Sequence, residues 1–274
     1  MKLGLYKISI LFILLLLNFS SRADWPVGKG RTNIIASYNY FYSSKFFDAN
    51  GKLTSFNQGD KFQSHFYGLT FLRGLTRRLD FVANVPYVSQ DLISNGVSLK
   101  NAATGDVTVG FAYHFPSAEY QKHLTIKVSA IIPTYQNIKT PDIGYASKGI
   151  TVGMNYSFTP IKNAFAVVEG TYTRFIDLAE GPNQYRAGVT FGKSINKYSM
   201  VTFNFAHQIS QSINTAFNPN PQANKSFTSG LFTLAYGRKL TRTITPYIQG
   251  AYTLYGTNIG LGLSASAFII WKLP

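Results

Sequence analysis

Apolar and polar residues alternate with a period of two through one segment after another of this chain. From Asp106 to Phe115 the odd positions are Val107, Val109, Phe111, Tyr113 and Phe115, and the even positions after Asp106 are Thr108, Gly110, Ala112 and His114. Successive side chains on a strand point to opposite faces, so one face here is apolar and aromatic and the other small or polar. The same alternation sets Leu124, Ile126, Val128, Ala130 and Ile132 against Thr125, Lys127 and Ser129. It also sets Ile150, Val152, Met154, Tyr156 and Phe158 against Thr151, Gly153, Asn155 and Ser157. Similar segments run from Thr32 to Phe41, Gln63 to Arg73, Asp80 to Gln90, Ala164 to Phe175, Gln184 to Ser194, Met200 to Ser210, Phe227 to Arg238, Ile244 to Tyr255 and Gly260 to Lys272. The pattern predicts about twelve strands, each close to the ~9 to 11 residues that cross a bilayer as a tilted strand.

The connections alternate in length. Short ones hold Gly74 to Leu79, Pro116 to His123, Pro160 to Asn163, Ile195 to Tyr198 and Leu240 to Thr243. Long ones hold Tyr42 to Phe62, Asp91 to Thr104, Asn137 to Ser147, Asp177 to Asn183 and Gln211 to Ser226. Short turns at one end and long loops at the other are the habit of an all-β, transmembrane, antiparallel up-and-down barrel, with the short turns and both termini in the periplasm. Closure follows from physics: in lipid an unpaired backbone N–H or C=O costs several kcal/mol, and without helices only a closed ring of strands pairs them all. A soluble two-sheet sandwich is the competing reading, and uniform strand lengths with so few charged partners argue against it.

Ahead of the first strand, Met1, Lys2 and Lys7 lead into an apolar run from Ile8 to Leu17, followed by Ser21-Arg22-Ala23. A basic start, an apolar stretch too short to span comfortably and a small-x-small site read as a cleaved secretory signal over residues 1–23, with the barrel occupying 24–274. Export of this kind implies the outer membrane of a Gram-negative cell, with membrane lipid, lipopolysaccharide and the barrel assembly machinery as partners.

Composition agrees with a lipid-facing wall. Aromatic residues make up 15% of the chain and charged residues only 14%, against a typical charged share of about 25%. Tyr38, Tyr40, Tyr87, Tyr113, Phe115, Tyr156, Phe158, Tyr185, Tyr252 and Trp271 fall at or near segment ends, where amphipathic rings anchor in the membrane interface. With no cysteine there are no disulfides and no cysteine-ligated metal. The formal net charge of +15 is carried by cations spread singly along the chain. No basic run interleaved with aromatics occurs, which excludes a nucleic-acid partner and assigns the cations to membrane interfaces.

Three fragments point to a family. Phe81-Val82-Ala83-Asn84-Val85-Pro86-Tyr87, Gly105-Asp106-Val107-Thr108-Val109-Gly110 and Ile131-Ile132-Pro133-Thr134 occur in this order. Together they resemble the outer-membrane family associated with the meta-pathway of phenol degradation (MetA-pathway), whose strands carry a Pro-Tyr, a Gly-Asp-Val/Leu and a Pro-Thr-Gly; here Tyr135 stands where that family often has glycine. The resemblance implies a barrel of about twelve strands that moves small, often aromatic, solutes.

If the apolar faces meet lipid, Asn84, Asp106, Lys127, Glu169, Arg186, Asn204 and Gln249 face the lumen as candidate solute contacts. Glu169 is expected to pair with Lys127 or Arg186; the bland alternative is that these side chains fill and stiffen the barrel. Pro86 and Pro133 each forfeit a ladder hydrogen bond and are strand-bend candidates, marking either a lateral gap or shape alone. No catalytic residue is expected. His207 and Ser210 lie three apart and so on opposite strand faces, and no Gly-x-Ser-x-Gly elbow or phosphate loop occurs. His65, His114 and His123 show no metal-ligand spacing, so neither metal nor cofactor is expected. The functional expectation is passive passage of small, aromatic or apolar, solutes. The alternative is a structural wall, or a surface binder displaying Tyr42 to Phe62 and Gln211 to Ser226.

Overall fold

The computed structural model describes residues 25–57, 59–119, 121–177 and 179–274; the expected export signal, residues 1–23, lies outside them. Every regular element among the described residues is a strand. They are β1 (Thr32–Ser43), β2 (Lys45–Phe47), β3 (Leu53–Ser55), β4 (Lys61–Gly74), β5 (Leu79–Ser94), β6 (Val97–Thr104), β7 (Val107–Pro116), β8 (Lys122–Ile132), β9 (Gly149–Phe158), β10 (Ala164–Phe175), β11 (Asn183–Ser194), β12 (Ser199–Gln211), β13 (Phe227–Arg238), β14 (Ile244–Thr257), β15 (Ile259–Gly260) and β16 (Leu263–Leu273). Twelve of them, all but β2, β3, β6 and β15, form a closed antiparallel barrel. Each wall strand pairs with its sequence neighbours. β1 closes the ring, pairing with β4 on one side (Tyr38↔Tyr67) and with β16 on the other (Tyr38↔Ala267).

The outer face is the apolar face. Leu69, Phe71, Val85, Phe111, Val128, Met154, Val189, Phe203, Leu234 and Ile269 are all exposed on it. Two rows of aromatics bound this band. At the long-loop end, Tyr38, Tyr67 and Tyr87 run across three strands with ring centroids 5.2 and 6.3 Å apart, and Tyr172 meets Tyr185 at 5.1 Å. At the short-turn end stand the pairs Tyr113–Phe115 and Tyr156–Phe158, with Tyr236 and Trp271 also exposed there. Burying such a surface in water would be untenable; a hydrocarbon layer between two interfacial belts accommodates it.

Two expected features take a different form. The stretch from Asp91 to Thr104 is not an open loop: β5 runs on to Ser94 and turns back as β6, pairing Ser94↔Val97 through Tyr87↔Thr104. Asn95 and Gly96 both have positive φ, 51° and 77°, the pairing of residues that suits a two-residue hairpin turn matched to strand twist. Pro133 follows the last residue of β8 and so ends that strand rather than bending it. Pro86 does lie inside a strand, where β5 changes partner. The ladder to β7 ends at Asn84↔Thr108, the ladder to β6 starts at Tyr87↔Thr104, and Gly105 N–H donates to Pro86 O across the gap. Thr134 reaches over the same break, its hydroxyl 3.0 Å from Thr104 O and 2.9 Å from Gly105 O.

At the short-turn end, the segment from Trp25 to Arg31 folds against the inside of the wall. Gly30 N–H donates to Gly74 O and Gly74 N–H to Arg31 O, and the Trp25 ring packs 4.3 Å from that of His123. Gly74 allows this approach: a Cβ there would stand 2.0 Å from Gly28 O. Gly74→Ala should therefore lift the segment off the wall at a cost of about 1–3 kcal/mol while leaving the barrel closed. The expected readout is a red-shifted tryptophan emission with an unchanged heat-modifiable band on a denaturing gel.

Candidate functional site

The inner faces of the wall strands enclose two chambers. The one toward the long loops has a volume of about 450 Å³, the one toward the short turns about 840 Å³, and no residue lines both.

The long-loop chamber is amphipathic. Phe41, Phe66, Pro86, Phe175 and Leu231 give it apolar surface, while Asn84, Asp106, Gln184, Arg186 and Gln208 give it polar surface. Its roof is made by loops that turn inward. Ile143 and Tyr145, from the connection after β8, and Asn220 and Asn224, from the connection after β12, are nearly or fully buried. Tyr145 hydroxyl donates to Asn224 O and accepts from Gln184 Nε2 at 2.9 Å. Asn220 Nδ2 donates to Asp142 O and Ile143 O, and Gln90 Nε2 also reaches Ile143 O. Asn224 Nδ2 donates to Asn258 O, whose own Nδ2 donates to Thr215 O and Ser226 O. In the segment from Gln211 to Ser226, Asn220, Ala223 and Asn224 are thus part of the roof, while Gln211, Ile213, Thr215, Ala216 and Gln222 remain exposed. Above it β2, β3 and β15 form a small separate sheet, and Phe46, Phe56 and Phe217 cluster there at 4.5 to 6.0 Å.

The roof is tied to the wall at Asp106. Tyr135 hydroxyl donates to Asp106 Oδ2 at 3.3 Å and accepts Ala146 N–H at 3.2 Å. Burial raises the Asp106 carboxyl above its ordinary value, opposed by the Tyr135 hydrogen bond. The Tyr135 hydroxyl is pushed upward by burial first and by the Asp106 charge second. Asp142 is likewise raised by burial, with Lys225 opposing. Asp177, which is exposed, is lowered by the Ser147 hydroxyl and the Lys148 N–H.

From the long-loop chamber to mid-height the lumen wall carries polar pairs. Glu169 meets Arg186 at 3.4 Å, the side chains 24% and 38% exposed. Asn84 accepts from Thr70 Oγ1 at 2.9 Å, Asn204 donates to Thr190 Oγ1 at 2.8 Å, and Thr151 and Thr173 hydroxyls are 2.8 Å apart. Gln249 stands on the inner face opposite Ser266. The lumen-facing side chains expected from the sequence are therefore distributed by height: Asn84, Asp106 and Arg186 in the long-loop chamber, Glu169, Asn204 and Gln249 at mid-height, and Lys127 in the short-turn chamber.

The short-turn chamber holds a group that the sequence analysis passed over. His114 Nε2 lies 3.0 Å from Asp80 Oδ2 and His114 Nδ1 2.9 Å from Thr125 Oγ1, all three residues being almost inaccessible. Val27 N–H donates to the same Asp80 oxygen at 2.9 Å, so this buried chain of hydrogen bonds anchors the N-terminal segment. It resembles a nucleophile–base–acid array, but Thr125 is fully buried and cannot meet a substrate. The signal available in the sequence was that Asp80 and His114 occupy the small-or-polar face of their strands. The cations crowd this end: Arg77 and Arg78, Lys122, Lys162, Lys197, and Lys239 with Arg242 lie in or beside the successive short turns, with Glu119 and Asp80 as the acidic side chains there among the described residues. At the other end Asp48, Asp60, Asp91, Asp106, Asp142, Asp177 and Glu180 balance the lysines of the loops.

No family model matches this sequence, and no curated protein matches it. Solved structures share its fold. An outer membrane channel from Pseudomonas putida F1 superposes with a TM-score of 0.74 at 14% identity, covering 93% of this chain and all of the other. The NanC porin gives 0.54 at 13% identity over 88% of this chain and all of the other. The translocator domain of the autotransporter NalP from Neisseria meningitidis gives 0.55 at 11% identity over 89% and 88%. At such identities the likeness establishes the barrel architecture.

The carboxyl groups of the roof make its hold dependent on pH. Asp106 and Asp142 are raised in the folded roof, so the closed form binds more protons than an opened one at pH values just above 3.8, their ordinary value. The expected outcome is a roof that holds more firmly in that window than at neutral pH. Asp177 has the opposite sign but acts below 3.8. Any current through the lumen should thus shrink on acidification, and the double variant Asp106→Asn, Asp142→Asn should flatten that dependence in single-channel recordings.

Proposed function

We propose that this protein is an outer-membrane channel for the passive passage of small solutes, oriented with its short turns in the periplasm and its roofed end toward the medium. The observation that carries the reading is the pairing of a lipid-suited exterior with an interior that holds two chambers and a polar mid-section. A wall protein with no traffic has no need of space inside; here the inner faces at mid-height carry many Gly, Ser, Thr and Asn residues beside the longer Glu169 and Gln249. The architecture shared with an outer membrane channel supports the same reading. Kinship with the phenol-degradation family is part of the proposal and rests on the three fragments around Pro86, Asp106 and Pro133. The amphipathic long-loop chamber, with Phe41, Phe66 and Phe175 beside Asn84, Gln184 and Arg186, suits an aromatic or partly apolar solute with a polar group.

Current through a planar lipid bilayer tests this. Folded mature protein should give discrete, salt-dependent steps, and Glu169→Gln should shift selectivity toward anions, because Arg186 loses the carboxylate 3.4 Å away. Tyr145→Ala should raise the step size by releasing both Gln184 and Asn224 from the roof. Silence from all three proteins, each shown to be folded, would refute the channel.

A further inference from the structure

We infer that the short-turn chamber is a binding site for small organic anions, a carboxylate carried on an aromatic or branched aliphatic body. The inference deepens the channel reading, since it names the class of solute that would dwell at the periplasmic mouth.

Charge and shape both point this way. Arg31, Lys127, Arg242 and Lys272 line the chamber, and among the described residues Asp80 is the acidic side chain lining it. Asp80 is already engaged, its Oδ2 shared by His114 and Val27 N–H. The cations come from four separate places in the chain: the N-terminal segment, β8, the last short turn and β16. Their convergence is a product of the fold and not of a basic run. Trp25, Ile35, Leu72, Val82 and Ile270 give the same chamber apolar surface, beside the polar Asn33, His114 and Thr243. The volume of about 840 Å³ falls in the range of small-molecule sites, about 300–1,000 Å³. An inorganic anion would use the charges and leave the apolar wall wet; an uncharged apolar molecule would do the reverse. An organic anion satisfies both. Because Arg31, Arg242 and Lys272 are exposed residues, each contact is weak, which suits a site that must release what it holds. The basic short turns around the mouth add a field of the same sign, which raises the local anion concentration.

Trp25 lies in the chamber and Trp271, the other tryptophan of the chain, on the outer wall. In the full mature protein, Trp271→Phe therefore leaves a single emitter at the site. Titration with benzoate at constant ionic strength should change that emission saturably, and benzyl alcohol should not. Arg242→Gln with Lys272→Gln should weaken benzoate binding by about fivefold, while Arg242→Lys with Lys272→Arg should retain it. No saturable change with folded protein, an equal response to benzyl alcohol, or indifference to the charge-removing pair would overturn the inference. Bilayer currents on the same preparation separate the two readings. Steps without benzoate binding remove the anion site and leave the channel; benzoate binding without steps removes the channel and leaves the site.

Discussion

The structure rests on one requirement: in hydrocarbon every backbone N–H and C=O of the wall needs a partner from the chain itself. A sheet of strands meets it only by closing, and β1 does so by pairing along its length with β4 and with β16. The one place where the ladder changes hands shows how strictly the requirement holds. Between Asn84 and Tyr87, where proline offers no N–H and β5 passes from β7 to β6, Gly105 N–H and the Thr134 hydroxyl take over the exposed carbonyls.

A closed ring of twelve strands leaves an interior, and its treatment differs by level. Close to the short turns the N-terminal segment enters and is held by Gly74 and by the Asp80–His114–Thr125 chain. At the other end the loops bend inward and are held by single hydrogen bonds from Tyr135, Tyr145, Gln184, Asn220 and Asn224. Each such bond contributes about 0.5–1.5 kcal/mol net, whereas the wall ladders act together around the ring. The wall is therefore the rigid part, and the fillings at both ends are the parts that a few lost hydrogen bonds can move.

Period-two alternation made the wall legible, because a lipid-facing strand must be apolar at every second residue, as Val107 to Phe115 and Ile150 to Phe158 are. The Glu169–Arg186 pair was legible as one of two alternatives, the other being Lys127. Glu169 and Arg186 both lie on the polar face of one hairpin, and Thr171 opposite Arg186 puts Glu169 on the diagonal, within reach of long side chains. The Asn95-Gly96 turn was present in the sequence as a hairpin signal within a stretch expected to be a loop. The roof was not legible. Nothing local distinguishes Asn220 and Asn224, both buried, from the asparagines of an exposed loop; their partners Ile143, Tyr145 and Asn258 lie far away in sequence, and only the closed barrel brings them together. The N-terminal segment escaped notice for the same reason, since its partners Gly74, Asp80 and His123 belong to the wall.

The excess of positive charge, first assigned to membrane interfaces, acquires a direction once the fold is known. The acids at the long-loop end work within that end. Asp48 accepts Asn50 and Lys52 N–H, Asp60 accepts Asn95 N–H, Asp91 accepts the Ser98 hydroxyl, Asp177 accepts Lys148 N–H, and Glu180 meets Lys225 at 2.6 Å. They pin loops, and Glu180 also pairs with the Lys225 cation. The short turns need no such pins: Leu75 and Thr76 N–H both reach Leu79 O, and the turns at Ile195 and Leu240 close in the same way. Turns closed by backbone and hydroxyl groups leave the basic side chains around them without acidic partners beyond Asp80 and Glu119 among the described residues. The asymmetry of charge is thus a consequence of the asymmetry of connections. A barrel that roofs one end with loops and trims the other to tight turns thereby gathers its unbalanced basic side chains at the short-turn end.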